Sequence, residues 1–81
     1  MSADWTTKEK VVGIKQTRRA IAEGNATAVY LANDADPKLT EPLRAMCLLA
    51  GIAVENENTM SELGKRCGIA VGTAACAVLH K

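Results

Sequence analysis

The sequence predicts an α/β fold: one domain over residues 1–81, built as a three-layer α/β/α sandwich around a small mixed sheet. Three observations lead there. Short apolar runs alternate with segments of helical period, most helical segments close on a glycine, and 81 residues carry 48% hydrophobic content. A chain of this size buries only roughly 60–65% of its unfolded surface, so its core must be well packed. Strand, helix and strand in short alternation imply crossover connections, with helices covering a mostly buried sheet.

Residues 4–10 offer a short helix, and Val11-Val12 an extended stretch running into Gly13. From Gly13 to Gly24 the pattern is helical: Thr17, Ala20, Ile21 and Gly24 recur at the 3.6 period as a core stripe. Lys15, Arg18 and Arg19 fall together on the other side with Gln16 on its flank, and Gly24 is placed to end the helix. Residues 27–32 are too apolar for an edge and read as a buried strand. Asn33-Asp34-Ala35-Asp36-Pro37 is turn chemistry.

A second helix is expected to be regular from about Thr40, with Pro42 in its first turn. Leu39, Leu43, Met46, Cys47 and Ala50 share one face, and Gly51 stops it. Residues 52–57 alternate toward their end as a half-exposed strand does. Thr59 and Glu62 are spaced as a capping box, opening a short helix with Met60, Leu63 and Cys67 inward and Gly68 as its stop. After a link over residues 69–72, residues 73–79 read as a wholly buried strand.

Composition narrows the function. With one Trp, one Tyr and no Phe, RNA modules that stack bases on aromatic side chains are disfavoured. Net charge of +1 does not by itself point to nucleic acid, but its distribution is uneven. Lys8, Lys10, Lys15, Arg18 and Arg19 stand against Glu9 alone within residues 8–19, while carboxylates gather at Asp34/Asp36 and Glu55/Glu57. One end of the molecule should be basic.

Cys47, Cys67 and Cys76 lie in apolar runs without a CxxC pair or a secretory segment, so reduced, largely buried thiols and a cytoplasmic protein are expected. No run approaches the ~20 apolar residues of a membrane span. An enzyme is not expected. His80, the one imidazole, reads as a solvated tail residue, and Asp34 and Asp36 as turn formers. Gly64, Gly68 and Gly72 belong to helix packing and its stop rather than to a phosphate loop. The expectation is no cofactor, no metal and no small-molecule substrate.

Two places break the usual rules. The helix after Gly13 has cations, and no acid in its first turn, where the macrodipole favours Asp or Glu. A cationic helix start preceded by glycine attracts anions, phosphate included; a solvated basic face is the other reading. The link Gly68-Ile69-Ala70-Val71-Gly72 has no polar side chain, although connections are normally polar. It is either an early start to the last strand or a contact loop.

Both places coincide with a resemblance. Gly13-Ile14-Lys15-Gln16-Thr17-Arg18-Arg19-Ala20-Ile21-Ala22-Glu23-Gly24 resembles the RNA-reading helix of the ribosomal L7Ae/L30e superfamily, Gly-x-Asn-Glu-x-x-Lys ending in Gly. Leu31-Ala32-Asn33-Asp34-Ala35-Asp36-Pro37 resembles its apolar-strand-to-Asp-x-Asp-Pro junction. Leu63-Gly64-Lys65-Arg66-Cys67-Gly68-Ile69-Ala70-Val71 resembles its Leu-Gly-x-x-x-Gly-Ile-x-Val signature, and an Ala-rich strand follows. The match spans nearly the whole chain in order, and is nearest the small bacterial YbxF-like members.

The resemblance implies a protein that binds structured RNA of the kink-turn type. It implies an RNA-contacting set of Gly13, Ile14, Lys15, Gln16, Arg18, Arg19, Lys65, Ile69, Ala70 and Val71. Lys15, Gln16 and Arg19 stand at the Asn, Glu and Lys places that face the tandem sheared G·A pairs. Residues 69–71 form the loop that covers an extruded nucleotide, and Lys65 lies where a backbone contact is plausible. Lys15 lacks the acceptor that Asn has, and Gln16 has an amide for a carboxylate. These departures shift affinity toward phosphate attraction. A monomer is expected, with a place on the ribosome left open. The alternative is a protein-interaction module of the same fold with weak or non-specific RNA binding.

Overall fold

The computed structural model describes residues 5–80. A 3-10 turn at Trp5–Thr7 leads into β1 (Lys10–Val12), α1 (Ile14–Ala22), β2 (Ala26–Ala32), α2 (Pro37–Ala50), β3 (Ala53–Asn58), α3 (Met60–Arg66) and β4 (Ala75–Leu79). The sheet has strand order β1-β4-β2-β3, with β2 parallel to β3 and β4 antiparallel to both β1 and β2. It is the mixed sheet of a three-layer sandwich, as the sequence predicts.

Alternation along the central strands fills two clusters. Val29 and Leu31 of β2 and Ala75 and Ala77 of β4 pack with Ala20 and Ile21 of α1 and Leu43 and Cys47 of α2. Ala32 and Cys76 point the other way and pack with Leu63 of α3, flanked by Trp5, Val12, Tyr30 and Cys67. Each fully buried Val or Leu contributes roughly 1.5–3 kcal/mol of burial free energy. The small side chains of β4 let α1 and α3 approach the sheet from opposite faces.

Several expectations need correction. No helix runs across residues 5–10: one 3-10 turn is followed by a strand, and position 4 lies outside the described residues. A helix of that length is hard to nucleate in isolation. Pairing of Lys10 with Val78 and stacking of Trp5 on Tyr30 at 4.2 Å hold an extended course instead. Helix α2 begins at Pro37, not near Thr40, because Asp36 caps it by accepting from the Lys38 amide at 3.0 Å. Pro42 therefore lies inside the helix, where it has no N–H to offer the carbonyl four residues earlier. Strand β4 begins at Ala75 rather than residue 73.

The inward set of α2 is Thr40, Leu43 and Cys47, with Met46 half-buried and Leu39 and Ala50 exposed. Gly24 is exposed and serves as a stop with φ +70° rather than as core. In α3, Leu63 is buried, Cys67 half-buried and Met60 exposed. All three cysteines are free. Burial pushes the Cys47 and Cys76 thiols up, Cys76 further by its neighbour Cys67.

Candidate nucleic-acid interface

Each of α1, α2 and α3 follows directly on a strand, so all three helix N-termini lie at the end of the sheet where β1, β2 and β3 finish. Two of these ends are satisfied from within. Asp36 caps α2. Thr59 caps α3 by accepting from the Glu62 amide at 3.1 Å, and Glu62 returns a bond from the Thr59 amide at 2.9 Å. Asp34, from the turn after β2, accepts from the Met60 amide at 2.8 Å. The Asp34/Asp36 pair is thus a pair of helix caps, which accounts for both carboxylates.

Helix α1 is different. Its N-cap, Gly13, has φ +108° and ψ 160°, offers no side-chain cap, and is followed by a first turn without an acid. Its own N–H donates to the Ala75 carbonyl at 2.8 Å, and its carbonyl accepts from Thr17 at 2.9 Å. The amides of Ile14, Lys15 and Gln16 precede the first intrahelical bond and have no partner among the described residues. The positive end of the helix is therefore open to an anion.

The side chains around that end follow from helical phase. Thr17, Ala20 and Ile21 are buried, which turns Lys15, Gln16, Arg18 and Arg19 outward, and all four are exposed. They line, with Ala22 and Met46, an open groove of about 550 Å³ between α1 and α2. Ile14 is half-buried against the core. Arg19 Nε donates to Glu23 Oε2 at 3.0 Å.

The link over residues 69–72 is a loop, not an early strand. Ile69 N–H donates to the Gly64 carbonyl at 3.0 Å, and Thr73 N–H to the Met60 carbonyl at 3.1 Å, so the loop is laced along α3. A Cβ on Gly64 would fall on the Val71 carbonyl, and one on Gly72 would lie 3.1 Å from the Met60 carbonyl. Both glycines are there for close backbone approach. Val71 is 71% exposed and Ala70 is exposed, whereas Ile69 is half-buried.

The loop reaches α1 through β4: Ala74 accepts from Ala32 N–H and Ala75 from Gly13 N–H, both at 2.8 Å. Gly13 and the loop's exit therefore meet at the end of the sheet where the helices begin. Residues 69–71 do not line the α1–α2 groove, and Lys65, exposed on α3, lies on the opposite face of the sheet from α1. The candidate site residues form one helix end and one loop at a shared end of the sheet, rather than a single cavity.

Sequence reasoning missed three contributors. Glu23 pairs with Arg19, a partnership signalled by the i, i+4 spacing. Met46, read as core, is half-buried and lines the groove. Thr73, buried, donates through its hydroxyl to the Ala75 carbonyl at 3.1 Å and fixes the loop's exit; nothing in its sequence neighbourhood signals that.

Comparison with known proteins gives a family and the same fold. The sequence model of the ribosomal protein L7Ae/L30e/S12e/Gadd45 family matches residues 4–81. The chain is 46% identical over 70 residues to RNA-binding protein YbxF of Geobacillus stearothermophilus, covering 86% of this chain and 85% of that one. It is 38% identical over 68 residues to large ribosomal subunit protein eL8 of Halobacterium salinarum, covering 83% of this chain and 57% of that one. Among solved structures, the Giardia lamblia 15.5kD RNA binding protein shares the fold with a TM-score of 0.86 at 22% identity. That match covers 96% of this chain and 66% of that one.

Proposed function

The chain belongs to the ribosomal protein L7Ae/L30e/S12e/Gadd45 family, and from that premise we propose that it binds structured RNA containing a kink turn. The observation that carries the reading is the first turn of α1, uncapped, free of acids and carrying Lys15, with Arg18 and Arg19 exposed in the turns that follow. Free amides and cations at one helix end are what a folded RNA backbone needs. In this reading Lys15, Gln16 and Arg19 address base edges, and Arg18 and Lys65 address phosphates. Gly13 and Ile14 shape the helix start. Residues 69–71 lie over an unstacked nucleotide, whose face is apolar and needs no hydrogen-bonded partner. The family's RNA-binding relatives support RNA as the partner, and the match to a large ribosomal subunit protein makes ribosomal RNA one source of the motif. No catalytic step, cofactor or small-molecule substrate enters the reading, and the protein acts as a cytoplasmic monomer. No helix among the described residues is long and apolar enough to cross a membrane.

Titration against a kink-turn RNA and a matched straight duplex at one salt concentration tests this. Tighter binding to the kink turn, lost in Lys15→Ala and Arg19→Ala, is the expected result. Equal affinity for the two RNAs would sink it. One observation favours a second reading, a protein-interaction module: Leu48 and Leu49 of α2 are 81% and 90% exposed. Binding to RNA that ignores the motif would favour that reading.

A further inference from the structure

Glu23 sits at the wrong end of its helix for stability. It occupies the C-cap of α1 at φ −86° and ψ 0°, where unsatisfied carbonyls leave partial negative charge and an acid is disfavoured. Its carboxylate holds the Arg19 Nε at 3.0 Å. The pair runs cation before acid, the less favourable order for i, i+4 partners on a helix. Both side chains are exposed, at 75% and 56%, so the ion pair adds little to folding. What it changes is the guanidinium. With Nε engaged, the edge carrying the two Nη groups forms no other hydrogen bond among the described residues. That edge is the fork that meets a guanine O6/N7 pair end-on. Glu23 also lines, with Gln16 and Arg19, a depression of about 220 Å³ on the flank of α1. Carboxylate, amide and guanidinium therefore share one surface.

We propose that Glu23 is a specificity-determining positioning residue, which clamps Arg19 through Nε and presents its Nη fork to a guanine edge of the bound RNA. This rests on the kink-turn reading above. Holding a long side chain in its bound rotamer before the RNA arrives removes part of the ordering cost of binding. Because Glu23 is itself an anion, it also weakens attraction to any phosphate backbone, an effect common to both RNAs that leaves the preference to the positioned fork.

The experiment measures affinity for a kink-turn RNA and a matched straight duplex with the unaltered chain, Glu23→Ala, Arg19→Ala and the double variant. Positioning predicts that the kink-turn to duplex ratio falls about two- to fivefold in Glu23→Ala, the range that an exposed ion pair can hold. The same change made in the Arg19→Ala background leaves the ratio where it was, because there is nothing left to position. Glu23→Gln, whose amide oxygen still accepts from Nε, retains part of the ratio. Melting temperature holds or rises, because an ill-placed charge is gone. A bare charge effect raises both affinities alike and leaves the ratio unchanged; that outcome, or an equal fall in both backgrounds, overturns the proposal. If the unaltered chain shows no kink-turn preference, the function reading itself fails and takes this inference with it.

Discussion

Helices α1 and α3 begin at the same end of the sheet, yet their first turns are built in opposite ways. In α3 every device for stability is in place: a capping box, Glu62 in the first turn, Lys65 and Arg66 in the last, and Asp34 reaching across from another turn. In α1 there is a glycine cap with no side chain, Lys15 in the first turn and Glu23 at the C-cap. Even the Thr17 hydroxyl, buried one turn in, has no hydrogen-bond partner among the described residues. The two helices share length scale, layer geometry and solvent, so the contrast isolates charge and capping. Helix α3 is organised for folding, whereas α1 gives up stability at the end where we propose that RNA is met.

The contrast can be broken at four points. Gly64→Ala should have the largest effect, because the added methyl falls on the Val71 carbonyl and the loop must lift off α3. About 3 kcal/mol of stability should be lost on chemical denaturation, at the upper end of overpacking costs. Lys15→Glu should act with opposite signs on two observables. Kink-turn affinity should fall by about 2 kcal/mol, while the helix macrodipole makes the folded state about 0.5 kcal/mol more stable. A loss of both would mean that Lys15 is structural.

Thr59→Ala is the mirror experiment on α3. It should cost about 1 kcal/mol of stability and leave RNA affinity of the folded fraction unchanged. Val71→Ser should be the mildest, because the side chain is 71% exposed in the free protein. Melting temperature should barely move, and kink-turn affinity should drop by up to ~1 kcal/mol with the salt slope intact, since the contact is apolar. A large fall in melting temperature would instead mark Val71 as core.

How far the sequence could be read follows the same division. The capping box, the Gly51 and Gly68 stops and the buried central strand were legible, because each rests on local chemistry or strict alternation. The N-terminal segment was misread because its conformation is set by Val78 and Tyr30, partners far along the chain. The start of α2 was misplaced because Asp36-Pro37 serves as both turn and cap, and the turn reading took precedence. At the candidate site, the exposed cations of α1 were visible from helical phase. The status of residues 69–72 was not: strand and loop both fit an apolar run, and only the Gly64 contact and the Met60 bond decide between them.

The most direct measurement is amide hydrogen exchange, residue by residue, with and without a kink-turn RNA. In the free protein the Lys15 and Gln16 amides, lacking acceptors, should exchange fast, and the Met60 and Glu62 amides, capped by Asp34 and Thr59, should exchange more slowly. Bound RNA should slow Lys15 and Gln16 and leave Met60 and Glu62 as they were. If RNA binds tightly while the first turn of α1 exchanges as fast as before, that helix end is not the anion site and the account is wrong.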